Sequence, residues 1–208
     1  MMKRIELDDP AIIHLCSADS RLSELINRVG PIECSLHSDP FEFLVDEIIE
    51  QMLSVKVADI IRQRFVSICN NEITPEKIAN LDIEDIRQAG ISKQKASYIQ
   101  NLSAVVNSGS LNLEELSLLS DNDVIQKLTA LKGIGNWTAK MYLIFVLNRN
   151  DILPFEDAAF LQGFRWLYDL EKVTKAEVID ISKKWHPYSS IAARYLYRAV
   201  DMGFIKKE

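Results

Sequence analysis

Residues 128–157, LTALKGIGNWTAKMYLIFVLNRNDILPFED, decide how the rest of the chain is read. A short amphipathic segment runs into Gly133-Ile134-Gly135, and Asn136-Trp137-Thr138-Ala139 begins a strongly apolar one. The pattern is helix, two-glycine hairpin, helix. Glycine suits a sharp turn or a close backbone approach. The first N–H groups of the second helix have no partner inside it, and the positive end of its dipole lies there too. Such an end suits an anion, of which a DNA phosphate is the natural example. The second helix, 136–147, carries the chain about 18 Å onward at ~1.5 Å per residue. The polar link 148–156, with Pro154, covers about 30 Å when extended. That reach can return Asp157 to the hairpin, at the start of the amphipathic AAFLQGFRWLYDL. A carboxylate beside a phosphate site is electrostatically odd unless it meets a developing positive charge.

With 208 residues and 48% hydrophobic content, the chain can bury a substantial core. No apolar run nears the ~18 residues that cross a bilayer. The longest, 141–147, reads as a core helix face, and MMKRIELDDPAII lacks the apolar centre of a signal peptide. An intracellular protein with no membrane partner is expected. Cys16, Cys34 and Cys69 are odd in number and widely spaced, so neither a disulfide framework nor a zinc site is expected. The net charge of −6 argues mildly against nucleic acid. It is unevenly placed: 11 Lys+Arg against 17 Asp+Glu up to residue 104 (11 − 17 = −6), then 13 against 13 (13 − 13 = 0). The half with the hairpin therefore does not repel DNA.

Helix signals recur throughout, no segment alternates like a half-buried strand, and an all-α fold is expected. Asp9-Pro10 and Asp19 mark starts, and Gly30-Pro31 a stop. Asp39-Pro40 opens the run through residue 70, with Phe43, Leu44, Ile48, Ile49 and Leu53 as a core-facing stripe. Further starts fall at Thr74-Pro75, Asp82, Ser92 and Ser120, where Ser120 and Asp123 resemble a capping box. With no linker, residues 1–208 read as one unit, its hairpin motif at about 120–148 and its loop and helix at 149–168. Residues 89–96, AGISKQKA, can be laid on 132–139, KGIGNWTA. Any helix–turn–helix with a glycine stop gives such a match; a second backbone contact to DNA is the alternative.

The chain resembles the helix-hairpin-helix DNA glycosylases, and most of all their DNA-3-methyladenine glycosylase II branch. The resemblance rests on LKGIGNWTA and LPFEDAAFLQGF. It extends to Asp39-Pro-Phe-Glu with IIEQMLS, to Ala89-Gly-Ile-Ser with KASYI, and to Trp185-His-Pro-Tyr-Ser-Ser190 with Ile-Ala192-Ala-Arg194. Together these cover most of residues 20–200. It implies two closely packed helical subdomains with the active-site cleft between them, and damaged double-stranded DNA as partner of a monomer. Some relatives hold an iron–sulfur cluster through four cysteines; three cannot supply it. No cofactor is expected beyond a possible structural Na⁺ or K⁺.

The resemblance makes Asp157 the catalytic group; a plain helix N-cap is the other reading. Glu156 reads as its solvated neighbour. In members that also cut the backbone, a lysine two residues after the second hairpin glycine attacks the sugar. Trp137 stands there, which implies a monofunctional hydrolase that leaves an abasic site. Trp137, with Trp185 and Tyr142, would form an aromatic pocket for a cationic alkylated purine such as 3-methyladenine or 7-methylguanine. Trp185 and Tyr142 read equally as core aromatics. Related enzymes carry a Tyr four residues after the Trp, where this chain has Met141. Met52, after Gln51, maps to the wedge that fills the gap left by a flipped base, or else is a core methionine. Amides near Gly133, Gly135 and Thr138 would hold phosphate, and the carbonyls of Thr129, Leu131 and Ile134 a monovalent cation. His14, His37 and His186 show no ligand spacing. The competing readings are a non-catalytic DNA-binding hairpin module, a glycosylase for oxidised or deaminated bases, and a helical interaction protein with no nucleic-acid role.

Overall fold

A computed structural model describes residues 2–205. In chain order it has β1 (Met2–Ile5), α1 (Pro10–Ala18), α2 (Ser20–Val29), β2 (Ile32–Ser35), α3 (Pro40–Glu50), α4 (Val55–Ile68), α5 (Pro75–Ala79) and α6 (Ile83–Gln88). There follow α7 (Lys93–Asn107), α8 (Asp121–Thr129), α9 (Asn136–Phe145), α10 (Ala158–Tyr168), α11 (Lys175–Ser182) and α12 (Ser189–Asp201). The expected helix starts hold because side chains satisfy the first amides. Asp9, Asp19, Asp39, Thr74 and Ser92 each accept a backbone N–H of the helix they open, as Thr174 does for α11.

Two compact units divide the described residues: 2–36 with 143–205, and 37–142. In the first, α10 and α12 approach closely enough that a Cβ on Gly163 would sit 3.0 Å from Leu196 Cβ. Around them the fully buried Leu15, Leu22, Ile26, Phe160, Phe164, Trp185 and Tyr195 form one core. The second unit packs α5 and α6 on α7, and α3 on α4 and α7. Phe43, Leu44, Ile48, Ile49, Phe65, Ile78, Ile99 and Leu102 are buried there. Cys69 is buried in this unit, which pushes its thiol up to about 11 and leaves it inert as a nucleophile.

Two expectations are corrected. A short antiparallel ribbon exists: β1 pairs with β2, Met2 opposite Ser35 and Ile5 opposite Ile32. Ile32 and Cys34 are buried while Glu33 and Ser35 are exposed. That alternation is real but only four residues long, too short to stand out beside Gly30-Pro31. The run after Pro40 is two helices, not one: the chain turns at residues 51–54, and Leu53, expected in the core stripe, is 36% exposed.

The first unit is organised around a buried carboxylate. Asp19 is 2% exposed. It caps α2, accepting from Arg21 N at 3.1 Å and Leu22 N at 3.2 Å. It also accepts from Trp185 Nε1 at 2.8 Å and from the Tyr168 hydroxyl, with Lys184 Nζ at 3.2 Å. Burial alone would raise its pKa; the donors from Tyr168, Trp185, Leu22 and Lys184 together outweigh it and hold the carboxyl below its ordinary value. A carboxyl depressed on folding stabilises the native state above its unfolded pKa, and that contribution disappears as pH falls through the folded value. Asp19→Asn should therefore cost about 1.5–3 kcal/mol at neutral pH. In denaturant titrations repeated down the pH scale, the difference from wild type should shrink below about pH 4.

Candidate functional site

The hairpin lies in the second unit. α8 opens on Ser120, which accepts Asp123 N at 3.2 Å and donates its hydroxyl to the Asp123 carboxylate at 2.6 Å. The chain then tightens through Leu131 N on the Leu128 carbonyl at 3.1 Å and Ile134 N on the Leu131 carbonyl at 3.2 Å. Gly133 has φ +93, and a Cβ there would lie 2.4 Å from the Tyr98 ring. Only glycine meets both demands. Gly135 faces open space, and its carbonyl accepts Ala139 N at 3.0 Å in the first turn of α9. Thr138 is 2% exposed, so only its backbone is placed to meet a phosphate; Trp137 is half-buried. The carbonyls of Thr129, Leu131 and Ile134 belong to this same turn. Neutral carbonyl oxygens are the donor set that suits a monovalent cation. The Leu131 carbonyl keeps a second lone pair beyond Ile134 N.

The internal echo is structural. Gly90 has φ +99, and two residues later Ser92 caps α7, accepting Lys95 N at 3.3 Å. The α6–α7 junction thus repeats the glycine turn between α8 and α9.

Met52 is fully exposed, in the turn between α3 and α4, which overturns its reading as a core methionine in a buried helix. Beside it, Gln51 Nε2 donates to the Gly133 carbonyl at 2.8 Å, joining this turn to the hairpin. Sequence reasoning did not find that tie; a Gln just past a helix end is the only local signal, and it is weak.

Asp157 lies in the first unit as the N-cap of α10. Its Oδ1 accepts Phe160 N at 2.7 Å, its carbonyl accepts Leu161 N at 2.9 Å, and its own N–H donates to the Pro154 carbonyl at 2.9 Å. It is half-buried and Glu156 is exposed. The loop that delivers it is fastened to residues 186–190. Ser190 N donates to the Asn150 carbonyl at 2.9 Å, and Ile152 N to Ser190 Oγ at 2.8 Å. Asp151 accepts from Ser189 Oγ at 2.6 Å and from Ser189 N at 3.2 Å, and its other oxygen pairs with His186 Nδ1. His186, read from sequence as an ordinary polar residue, is thus a fastening of the Asp157 loop. Lys175 Nζ stands 4.1 Å over the Phe155 ring. Arg194, 9% exposed, donates to the Ile144 carbonyl at 2.7 Å at the end of α9.

Two proposed pocket aromatics are core residues. Trp185 is fully buried. Its ring centroid lies 5.7 Å from Phe164 and 6.4 Å from Phe160 and Tyr168, and its N–H is spent on Asp19. No face is left for a base. Tyr142 is also fully buried, edge-on to Phe43 at 6.0 Å. Its hydroxyl has no hydrogen-bond partner, and burial pushes its pKa up, so it stays a neutral phenol. The aromatic spacing seen in sequence is that of helix faces turned inward.

The chain belongs to the HhH-GPD superfamily of base excision DNA repair proteins, whose family model matches residues 45–187. It is 37% identical over 200 residues to DNA-3-methyladenine glycosylase 1 of Schizosaccharomyces pombe, covering 93% of this chain and 88% of that protein. Among solved structures, DNA-3-methyladenine glycosidase from Bacillus halodurans is similar at TM-score 0.88 and 35% identity, over 97% of this chain and 94% of that one. The S. pombe 3-methyladenine DNA glycosylase Mag1, in complex with abasic DNA, is similar at TM-score 0.85 and 35% identity, over 95% and 99% of the two chains.

The two hairpin glycines should respond differently. Gly133→Ala forces a side chain into left-handed backbone and onto Tyr98, and should destabilise by about 2–3 kcal/mol and weaken duplex binding. Gly135→Ala gives up only the cap preference of glycine, about 1 kcal/mol or less. Thermal melting and fluorescence-anisotropy titration of duplex DNA check both.

Proposed function

We propose that this chain is a base-excision DNA glycosylase that extrudes an alkylated purine of the 3-methyladenine or 7-methylguanine type from duplex DNA and hydrolyses its N-glycosidic bond, leaving an abasic site. The observation that carries this reading is Asp157, a half-buried carboxylate at a helix N-terminus behind Leu153-Pro154-Phe155-Glu156, in a chain of the base-excision family. The relatives named above support the substrate class.

Breaking the bond builds positive charge on the deoxyribose. A fixed anion stabilises that oxocarbenium-like state more than the ground state. Accepting Phe160 N is compatible with the catalytic role. Asp157 also orients or deprotonates the attacking water. A cationic alkylated base is already a good leaving group, and the Trp137 indole attracts such a cation by about 0.5–2 kcal/mol. With tryptophan at the position of the Schiff-base lysine, water is the nucleophile and the backbone is not cut.

Amides of the Gly133–Thr138 segment hold a phosphate. A monovalent cation on the Thr129, Leu131 and Ile134 carbonyls would add positive potential there. Met52 fills the space the extruded base leaves. The enzyme acts as a monomer inside the cell, without an iron–sulfur cluster.

Asp157→Asn keeps the cap geometry but removes the charge, and should slow base release by about 10²–10³-fold. Its affinity for duplex DNA should stay within a few-fold of wild type. Chromatography of free methylpurines from alkylated DNA measures the rate. Equal release by the two proteins, or none from wild type, would leave a non-catalytic DNA-binding module as the better description.

A further inference from the structure

Met52 occupies a backbone setting that its residue type disfavours. The turn 50–53 closes through Leu53 N on the Glu50 carbonyl at 3.0 Å, with Gln51 at φ −47, ψ 127 and Met52 at φ +58. These signs match a type II turn, whose third residue is normally Gly or Asn. Five non-glycine residues have positive φ among the described residues, and the other four are Asn or Asp, which tolerate it. The Met52 side chain is 101% exposed, so no packing within the chain offsets the strain. Backbone held this way persists only where its surroundings enforce it.

The enforcing group stands on α7. Lys95 Nζ donates to the Ile49 carbonyl at 2.8 Å and to the Gln51 carbonyl at 2.5 Å. These are carbonyls at the end of α3, where the helix leaves its last acceptors without intrahelical donors and its dipole attracts a cation. The Gln51 side chain reaches the other way, to the Gly133 carbonyl at 2.8 Å. The turn is pinned on one side to α7 and on the other to the hairpin.

We infer that Lys95 is a positioning residue for base extrusion, holding the 50–53 turn in its positive-φ form so that Met52 projects as a rigid wedge. The inference rests on Met52 being the wedge. Through Gln51 the same turn is kept at a fixed distance from the phosphate-holding hairpin, so the wedge and the held backbone meet the duplex together. Separated strands present no stack to fill, and Lys95 matters little to them.

The test is single-turnover release of methylpurines from dimethyl-sulfate-treated duplex DNA, and from the same DNA as separated strands. Lys95→Met should slow the duplex reaction about tenfold or more, as small misplacements do. It should leave the strand reaction near wild type, and Lys95→Arg should restore most of the duplex rate. Met52→Gly, which suits the φ, should slow the duplex reaction by a similar factor. In that background Lys95→Met should add no further loss, the non-additivity of residues acting as one. Losses that multiply, equal losses on both substrates, or an unchanged duplex rate overturn the inference. Should Lys95→Met fail to fold, Gln51→Ala cuts the other tie: a duplex-specific loss supports the inference and an unchanged rate overturns it. If Met52→Gly alone leaves the duplex rate intact, the wedge itself is refuted. If Met52→Gly is slow and Lys95→Met is not, only the role of Lys95 is lost.

Discussion

The close approach of the Tyr98 ring to the backbone of Gly133 is the constraint on which the hairpin unit depends. It leaves no room for a side chain at residue 133 and so fixes the hairpin to α7. One turn earlier on α7, Lys95 grips the end of α3. Residues three apart lie on one face of a helix. A single helix face therefore positions both the glycine hairpin and the Met52 turn, and Gln51 closes the triangle between them. Three elements distant in sequence are joined by these polar ties on top of the apolar packing of α3 on α7.

The other half follows a different logic. Its largely aliphatic core also buries Trp185 and packs Tyr168, and aromatic rings with polar tips need partners when buried. Asp19 supplies them, accepting from Trp185 and Tyr168 while capping α2. The loop before Asp157 is held by hydrogen bonds from Ser189 and Ser190 and by the His186–Asp151 pair, together with burial of Ile152 and Pro154. The Asp157 carboxylate is thereby placed firmly while remaining half-buried.

The helices were legible because their signals are local. A capping Asp, Ser or Thr satisfies amides two or three residues away, and a glycine stop is a property of one residue. The hairpin was legible for the same reason, as was Asp157 at the head of α10. Features that join distant residues were not. Nothing near Lys95 or Gln51 announces that they meet the end of α3 and Gly133, and nothing near Asp151 announces His186. Trp185 and Tyr142 were drawn toward the site because an aromatic on an amphipathic helix looks alike whether it faces a ligand or the core. Met52 went the other way: periodicity continued the helix through residues 51–54, and only the backbone shows the chain breaking there to expose it. The family resemblance named the wedge position that periodicity alone had buried.

The interrupted order of the first unit has a consequence for biosynthesis. Residues 37–142 form an unbroken stretch that can acquire its contacts as it leaves the ribosome. Helices α1 and α2 emerge earlier, yet Asp19 must wait for Tyr168, Lys184 and Trp185, which follow it by 149 residues or more. At about 5–20 residues per second, the 166 residues from Asp19 to Trp185 take about 8–33 seconds. Throughout that interval, the apolar sides of α1 and α2 lack their final neighbours, so this early segment is where a nascent-chain chaperone has most to shield.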